Sequence, residues 1–222
     1  AADNAPAAFK AQAIAWVLGG GVISAVLGRQ AVILTREAFA PVMFAGAYAA
    51  IVGFGLLGVL VLAPLRFANV RTSAQVQADR DDARPFREII SQPKFIIALT
   101  CAVGSYALMS FVMTGAPLAM VGCGFSVDEA TLGIQWHVLA MFGPSFFTGK
   151  LISRFGKEKV IATGLFILIA CAIVALLGLQ LWNFWLSLIL LGLGWNFGFI
   201  GATSLFTDTY RLSEKGKVQG FH

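Results

Sequence analysis

The sequence predicts an all-α polytopic membrane protein, and three observations carry that prediction. Hydrophobic residues make up 58% of the 222 and charged residues only 12%, about half the roughly 25% charge of a soluble domain. Mean hydropathy is +0.81. The charged residues stand in short clusters with long apolar runs between them, and uncharged apolar runs of about 18 or more residues read as membrane-spanning helices. Barrel strands do not fit, because they would be about 10 residues long and alternate in polarity.

Six spans follow in chain order, 11–34, 38–62, 95–121, 130–149, 160–180 and 182–206. Each is long enough for a hydrocarbon core of about 30 Å. The first carries Gly20, Ser24 and Gly28 at four-residue steps, with Gly21 and Ala25 beside them, a spacing that lets helices approach closely. The second has Tyr48 as its only polar interruption. The third sets Tyr106, Ser110, Thr114 and Pro117 along one helical stripe, and the fourth does the same with His137, Met141, Ser145 and Thr148. The fifth has only Thr163 before its end. The sixth holds Asn196, Thr203 and Thr207, with Trp195 and Phe197 flanking the asparagine.

Between the second and third spans lies 63–94, a mixed-charge connection with Arg66, Arg71, Arg80, Arg84, Arg87 and Lys94 against Asp79, Asp81, Asp82 and Glu88. A connection of this length reads as a solvated tether between structural halves. With the connections assigned alternately to two sides, fourteen of the sixteen Lys and Arg residues fall on the side of 1–10, 63–94, 150–159 and 207–222. The positive-inside rule makes that side cytoplasmic, so both ends of the chain are expected inside. The net charge of +5 then reflects cytoplasmic loops, and a nucleic-acid partner is not expected. The three cysteines form no CxxC or Cys/His cluster, so no metal site is read.

The fourth and fifth spans are joined by Gly149-Lys150-Leu151-Ile152-Ser153-Arg154-Phe155-Gly156-Lys157-Glu158-Lys159. This run resembles the G-x-L-x-D-R-x-G-R-K loop of the major facilitator superfamily. Gly149, Leu151, Arg154, Gly156 and Lys159 match it, Lys157 keeps the charge, and Ser153 stands where the family has an acidic residue. Phe111–Gly156 and Gly192–Gly201 are also similar to a bacterial branch of that superfamily. The resemblance implies a twelve-helix transporter of which this chain supplies helices five to ten: 1–62 as the last two helices of the first half, 63–94 as the central cytoplasmic loop, and 95–222 as the first four helices of the second. It implies a bacterial inner-membrane location, a small-molecule substrate, alternating access and missing helices as partners beside the lipid bilayer. The 149–159 motif would be a cytoplasmic gate. In the first span, proton-coupled antiporters of the family carry Gly-Pro where this chain has Gly28-Arg29. Packing and gating both remain open for Gly20, Ser24 and Gly28.

Polar side chains inside spans are costly and tend to face a cavity or another helix. The candidates for a substrate or proton pathway are therefore His137, Asn196, Tyr106, Ser110, Thr114, Ser145 and Thr203. His137 is the ionisable imidazole near mid-span, suited to proton coupling with H⁺ or to binding substrate, or else to a hydrogen bond with a neighbouring helix. Asn196 suits either a polar metabolite with a ring or an interhelical bond. Pro117 reads as a hinge or as an inert kink. Trp136, Trp182 and Trp185 read as interfacial anchors. No nucleophile elbow, HExxH, Walker loop or in-span carboxylate pair is present, so no catalytic residue, metal or cofactor is assigned and an enzyme is not expected. A non-transporting membrane scaffold or sensor that kept the fold is the alternative.

Overall fold

The computed structural model describes residues 10–64, 84–214 and 218, with the side chains of 10–19 and 212 excepted. The described elements are α1 (Lys10–Thr35), α2 (Ala45–Leu62), α3 (Phe86–Ile90), α4 (Pro93–Gly122), α5 (Val127–Phe142), α6 (Ser145–Phe155), α7 (Lys157–Leu176), α8 (Leu181–Phe206) and a 3₁₀ turn at Leu212–Glu214. No strand occurs among the described residues. Four of these helices, α2, α4, α7 and α8, are long and apolar enough to cross a membrane. Most of the 63–94 connection lies outside the described residues, as do residues 1–9.

The chain divides into two compact units, Val26–Asp82 and the remainder. In Val26–Asp82, α2 begins seven residues later than the 38–62 span predicts. Phe44, in a left-handed conformation at φ 67°, marks its start. A Cβ on Gly46 would overlap the Thr35 carbonyl oxygen, so only glycine allows the chain to fold back this closely after α1. The rest of α2 is nearly all exposed apolar surface, as a helix facing lipid or further helices requires.

In the other unit, helix starts follow local chemistry. Pro93 opens α4, where its missing N–H costs nothing. Ser126 and Glu129 cap each other at the start of α5, with Ser126 N–H donating to Glu129 Oε2 at 2.8 Å and Glu129 N–H to Ser126 Oγ at 3.2 Å. These bonds hold the Glu129 carboxyl below its ordinary value.

The expected fourth span, 130–149, is two helices. It breaks at Gly143–Pro144 because proline brings no N–H to the ladder. The fifth starts at Lys157 rather than 160 and ends at Leu176 rather than 180. Gly156, at φ 91° and ψ 158°, makes the entire turn between α6 and α7, in backbone space that is essentially glycine-only. Most of the 149–159 motif is thus helical.

Helix α8 is the hub, packing on α4, α5, α6 and α7. Within a window of membrane-spanning length, 44% of α8 is buried, against 28% for α4 and α7. Against α7 it uses glycine. A Cβ on Gly164 of α7 would overlap Gly198 N and lie 2.8 Å from Gly194 O, and one on Gly201 would reach Ile161 Cγ1 at 2.8 Å. Against α5, a Cβ on Gly192 would overlap the His137 carbonyl oxygen. Small residues at these crossings let the backbones touch, which is how helices associate where lipid removes the hydrophobic drive. Against α4, the rings of Phe206 and Phe95 lie 5.0 Å apart within a cluster that includes Ala98, Ala102 and Leu205.

A matched pair of substitutions tests these crossings. Gly164→Ala should lower the stability of the full-length protein in detergent by about 1–3 kcal/mol, the usual cost of overpacking. Gly115→Ala, where an added Cβ meets nothing within 4 Å, should be neutral or gain up to about 1 kcal/mol from helix propensity. Equal effects on thermal unfolding would refute the close α7–α8 approach.

Candidate functional site

The predicted polar residues fall into two groups on either side of α8. The first lies at the seam with α5, where the two helices run the same way and both step by four residues. His137 is fully buried, and its Nδ1 lies 3.0 Å from Leu188 O. That contact requires the proton on Nδ1, which leaves Nε2 as an acceptor with no partner among the described residues. Two turns further along α8, Asn196 is also fully buried. Its Nδ2 donates to Met141 O at 2.7 Å and to Ser145 Oγ at 2.6 Å, while its Oδ1 accepts from Thr148 Oγ1 at 2.6 Å. Met141 O is the carbonyl that an unbroken helix would offer to the Ser145 N–H. Asn196 therefore partners backbone and side chains across the Gly143–Pro144 break.

The second group faces α4. Tyr106, Ser110 and Thr114 lie on one exposed stripe of that helix, and Thr114 Oγ1 donates to Ser110 O at 2.8 Å. Tyr106 borders a hollow of about 270 Å³ lined also by Ala102, Val103, Ala107 and Phe199. Thr203 is half-buried, and its Oγ1 has no partner among the described residues. The structure thus brings Asn196 and Ser145 together, sets His137 on the same seam, and keeps Tyr106, Ser110 and Thr114 apart from them.

In the 149–159 motif, Lys157 Nζ donates to both carboxylate oxygens of Asp208 at 2.7 Å and to Ser204 O at 2.9 Å. This ties the start of α7 to the end of α8. Arg154 sits over the Phe155 ring at 5.3 Å, Gly149 is exposed, and Leu151 and Lys159 line a hollow of about 370 Å³ with Phe155, Val160, Thr163 and Phe197. In α1, Gly20 and Gly28 have nothing near an added Cβ and Ser24 is exposed. The close contact falls on Gly21, whose Cβ would meet the Phe142 ring at 2.9 Å. Trp185 donates its indole N–H to Glu129 O at 3.1 Å and so ties α8 to the start of α5.

Three features escape the sequence reading. The Gly143-Pro144 pair is a local break signal inside a span. Trp195 and Phe199, four residues apart on α8, stack with centroids 4.8 Å apart and planes 10° from parallel, and their spacing is the signal. The third has no local signal: Arg84 and Glu214 are 130 residues apart. Arg84 donates from Nε and a terminal nitrogen to the two Glu214 oxygens, both at 2.9 Å, and from its backbone N–H at 3.0 Å. The Arg211 N–H adds a bond at 2.9 Å. Arg84 and Gln92 also both donate to Thr209 O. The Arg84 guanidinium, with help from these N–H groups, holds the Glu214 carboxyl down at about 2, and the pairing raises Arg84 in turn.

Long apolar helices, glycine crossings and polar groups held between helices define a multi-pass helical membrane protein. A family model of the Major Facilitator Superfamily matches residues 1–222, and the chain belongs to that superfamily. It is 54% identical over 220 residues to the riboflavin transporter RfnT of Brucella anthropi, covering 99% of this chain and 55% of that protein. It is 30% identical over 188 residues to YddS, an uncharacterized MFS-type transporter of Bacillus subtilis, covering 81% of this chain and 42% of that protein. The chain thus spans about half the length of these relatives. No solved structure matches it significantly.

The Arg84–Glu214 pair makes a pH prediction. Because the folded carboxyl titrates near 2 rather than at its ordinary 4.5, its contribution is complete above about 4.5 and is lost as pH falls towards 2. Glu214→Gln should lower the melting temperature of the full-length protein at pH 7 and remove part of its decline below pH 5. An unchanged melting temperature at pH 7 would show that the pair does not hold these segments.

Proposed function

We propose that the protein carrying this chain is a secondary transporter of the bacterial inner membrane that moves riboflavin or a close flavin by alternating access. The observation that carries this reading is the 54% identity, across 99% of the chain, to a protein named as a riboflavin transporter. In this reading 1–62 closes the first half, 63–94 is the cytoplasmic tether, and 95–222 opens the second half, with both ends of the chain in the cytoplasm.

The residues support distinct roles in such a cycle. Lys157–Asp208 and Arg84–Glu214 join segments at one end of the helices, where a rocking half needs to stay internally rigid. Gly156 makes the turn that brings Lys157 to Asp208. The pathway lies along Tyr106, Ser110 and Thr114, the exposed polar stripe of α4, because such a stripe is poorly suited to lipid. His137 couples the cycle to H⁺ through Nε2, which has no partner among the described residues, with Leu188 O fixing the tautomer. Asn196, Ser145 and Thr148 keep the broken span joined to α8 while the halves move.

Uptake of labelled riboflavin by vesicles holding the full-length protein tests the reading. Uptake should saturate, compete with unlabelled riboflavin and collapse when a protonophore removes the pH gradient. No uptake above empty vesicles would end the flavin reading. His137→Asn keeps a side-chain N–H at the position of Nδ1 for Leu188 O but cannot titrate, so uptake should persist while its dependence on the gradient is lost. A variant as gradient-dependent as the parent would end the coupling role.

A further inference from the structure

The geometry points to Phe199, backed by Trp195 and faced by Tyr106, as a stacking platform for the ring system of a neutral flavin. This inference rests on the flavin reading above and deepens it by naming the side chains that hold the ring. Phe199 has Trp195 parallel on one side at 4.8 Å. It also borders the 270 Å³ hollow, with Tyr106 at 6.2 Å and tilted 47°. A ring held between two others needs about 7 Å between them, twice a carbon–carbon contact of roughly 3.5 Å. Tyr106 is already close to that separation, and as a 53%-exposed side chain it has room to turn parallel to Phe199.

The rest of the hollow suits a flat ring. Ala102, Val103 and Ala107 are small, so the wall is low and apolar. Its volume of about 270 Å³ falls just short of the roughly 300–1,000 Å³ of whole-ligand sites, which suits the ring system alone with the remainder of the molecule outside it. Among the described residues no charged side chain lines it, which favours a neutral ligand, since an unpaired charge there would lose its hydration. Riboflavin joins a neutral, planar three-ring system to a hydroxylated side chain. On α4, Ser110 and Thr114 follow Tyr106 by one and two turns, about 6 and 12 Å along the axis. They supply hydroxyls along the direction in which that side chain would run. The exposed face of α2 has no comparable arrangement: apart from Tyr48 its large exposed side chains are aliphatic or Phe.

The test is a titration of purified full-length protein with riboflavin, following the quenching of flavin fluorescence that stacking on an aromatic ring produces, alongside vesicle uptake. Phe199→Leu keeps apolar volume for packing but removes the stacking face. It should raise the riboflavin Kd at least about tenfold, the size expected for one aromatic stacking partner, with a matching rise in KM. Tyr106→Leu should weaken binding in the same direction, and Phe199→Trp should restore it. Binding and uptake by the parent with undiminished affinity in Phe199→Leu and Tyr106→Leu would overturn the platform and leave the flavin reading standing. A parent protein that neither binds nor carries riboflavin would overturn both.

Discussion

A helix that breaks inside hydrocarbon releases backbone groups that water cannot reach, and something in the protein must partner them. Here the break is Gly143–Pro144, and the partner is Asn196. One amide takes the Met141 carbonyl, the Ser145 hydroxyl and the Thr148 hydroxyl. The single hydroxyl hydrogen of Thr148 is shared between Asn196 Oδ1 at 2.6 Å and Pro144 O at 2.8 Å. Leaving such groups unmade costs about 1–3 kcal/mol each, so the register of α8 against α5 and α6 follows from this contact. With Asn196 in place, Gly192 falls against the His137 carbonyl and Leu188 O falls on the imidazole.

Once that register is set, the other faces of α8 have fixed partners. Gly194 and Gly198 meet Gly164, which brings the α7 backbone close, and Phe206 meets Phe95 on α4. Trp195 and Phe199 then stand beside the Tyr106 stripe rather than in the packed seams. A crossing made by glycine on one side and a flat aromatic pair on the other places rigid packing and a half-buried ring surface on the same helix. Of the polar ties at the helix ends, Lys157–Asp208 is partly exposed, whereas the Glu214 carboxylate that Arg84 holds is buried and relies on its hydrogen bonds.

Much of the fold was legible in the sequence because membrane helices are written in long apolar runs bounded by charge. The edges were less so. Span 38–62 begins late because Phe44 adopts a left-handed conformation, and 130–149 divides because Pro144 removes an N–H, local effects that hydropathy averages away. Of the candidate site, residue types alone were legible: polar groups in spans were singled out, and the structure places each at a helix seam, on an exposed stripe or half-buried. Their partners were not. Asn196 with Thr148, and Arg84 with Glu214, are joined across 48 and 130 residues, and spacing along the chain says nothing of such pairs. The Trp195–Phe199 stack was within reach, since residues four apart share a helix face.

The contact on which this account turns is best measured by a double-mutant cycle on Asn196→Leu and Thr148→Val, read by reversible unfolding of the full-length protein in bicelles. If Asn196 bridges the break as described, the two losses are strongly non-additive, with a coupling energy of about 1 kcal/mol or more. Losses that add to within about 0.3 kcal/mol would mean that the amide and the threonine act independently, and the register of α8 would need another cause.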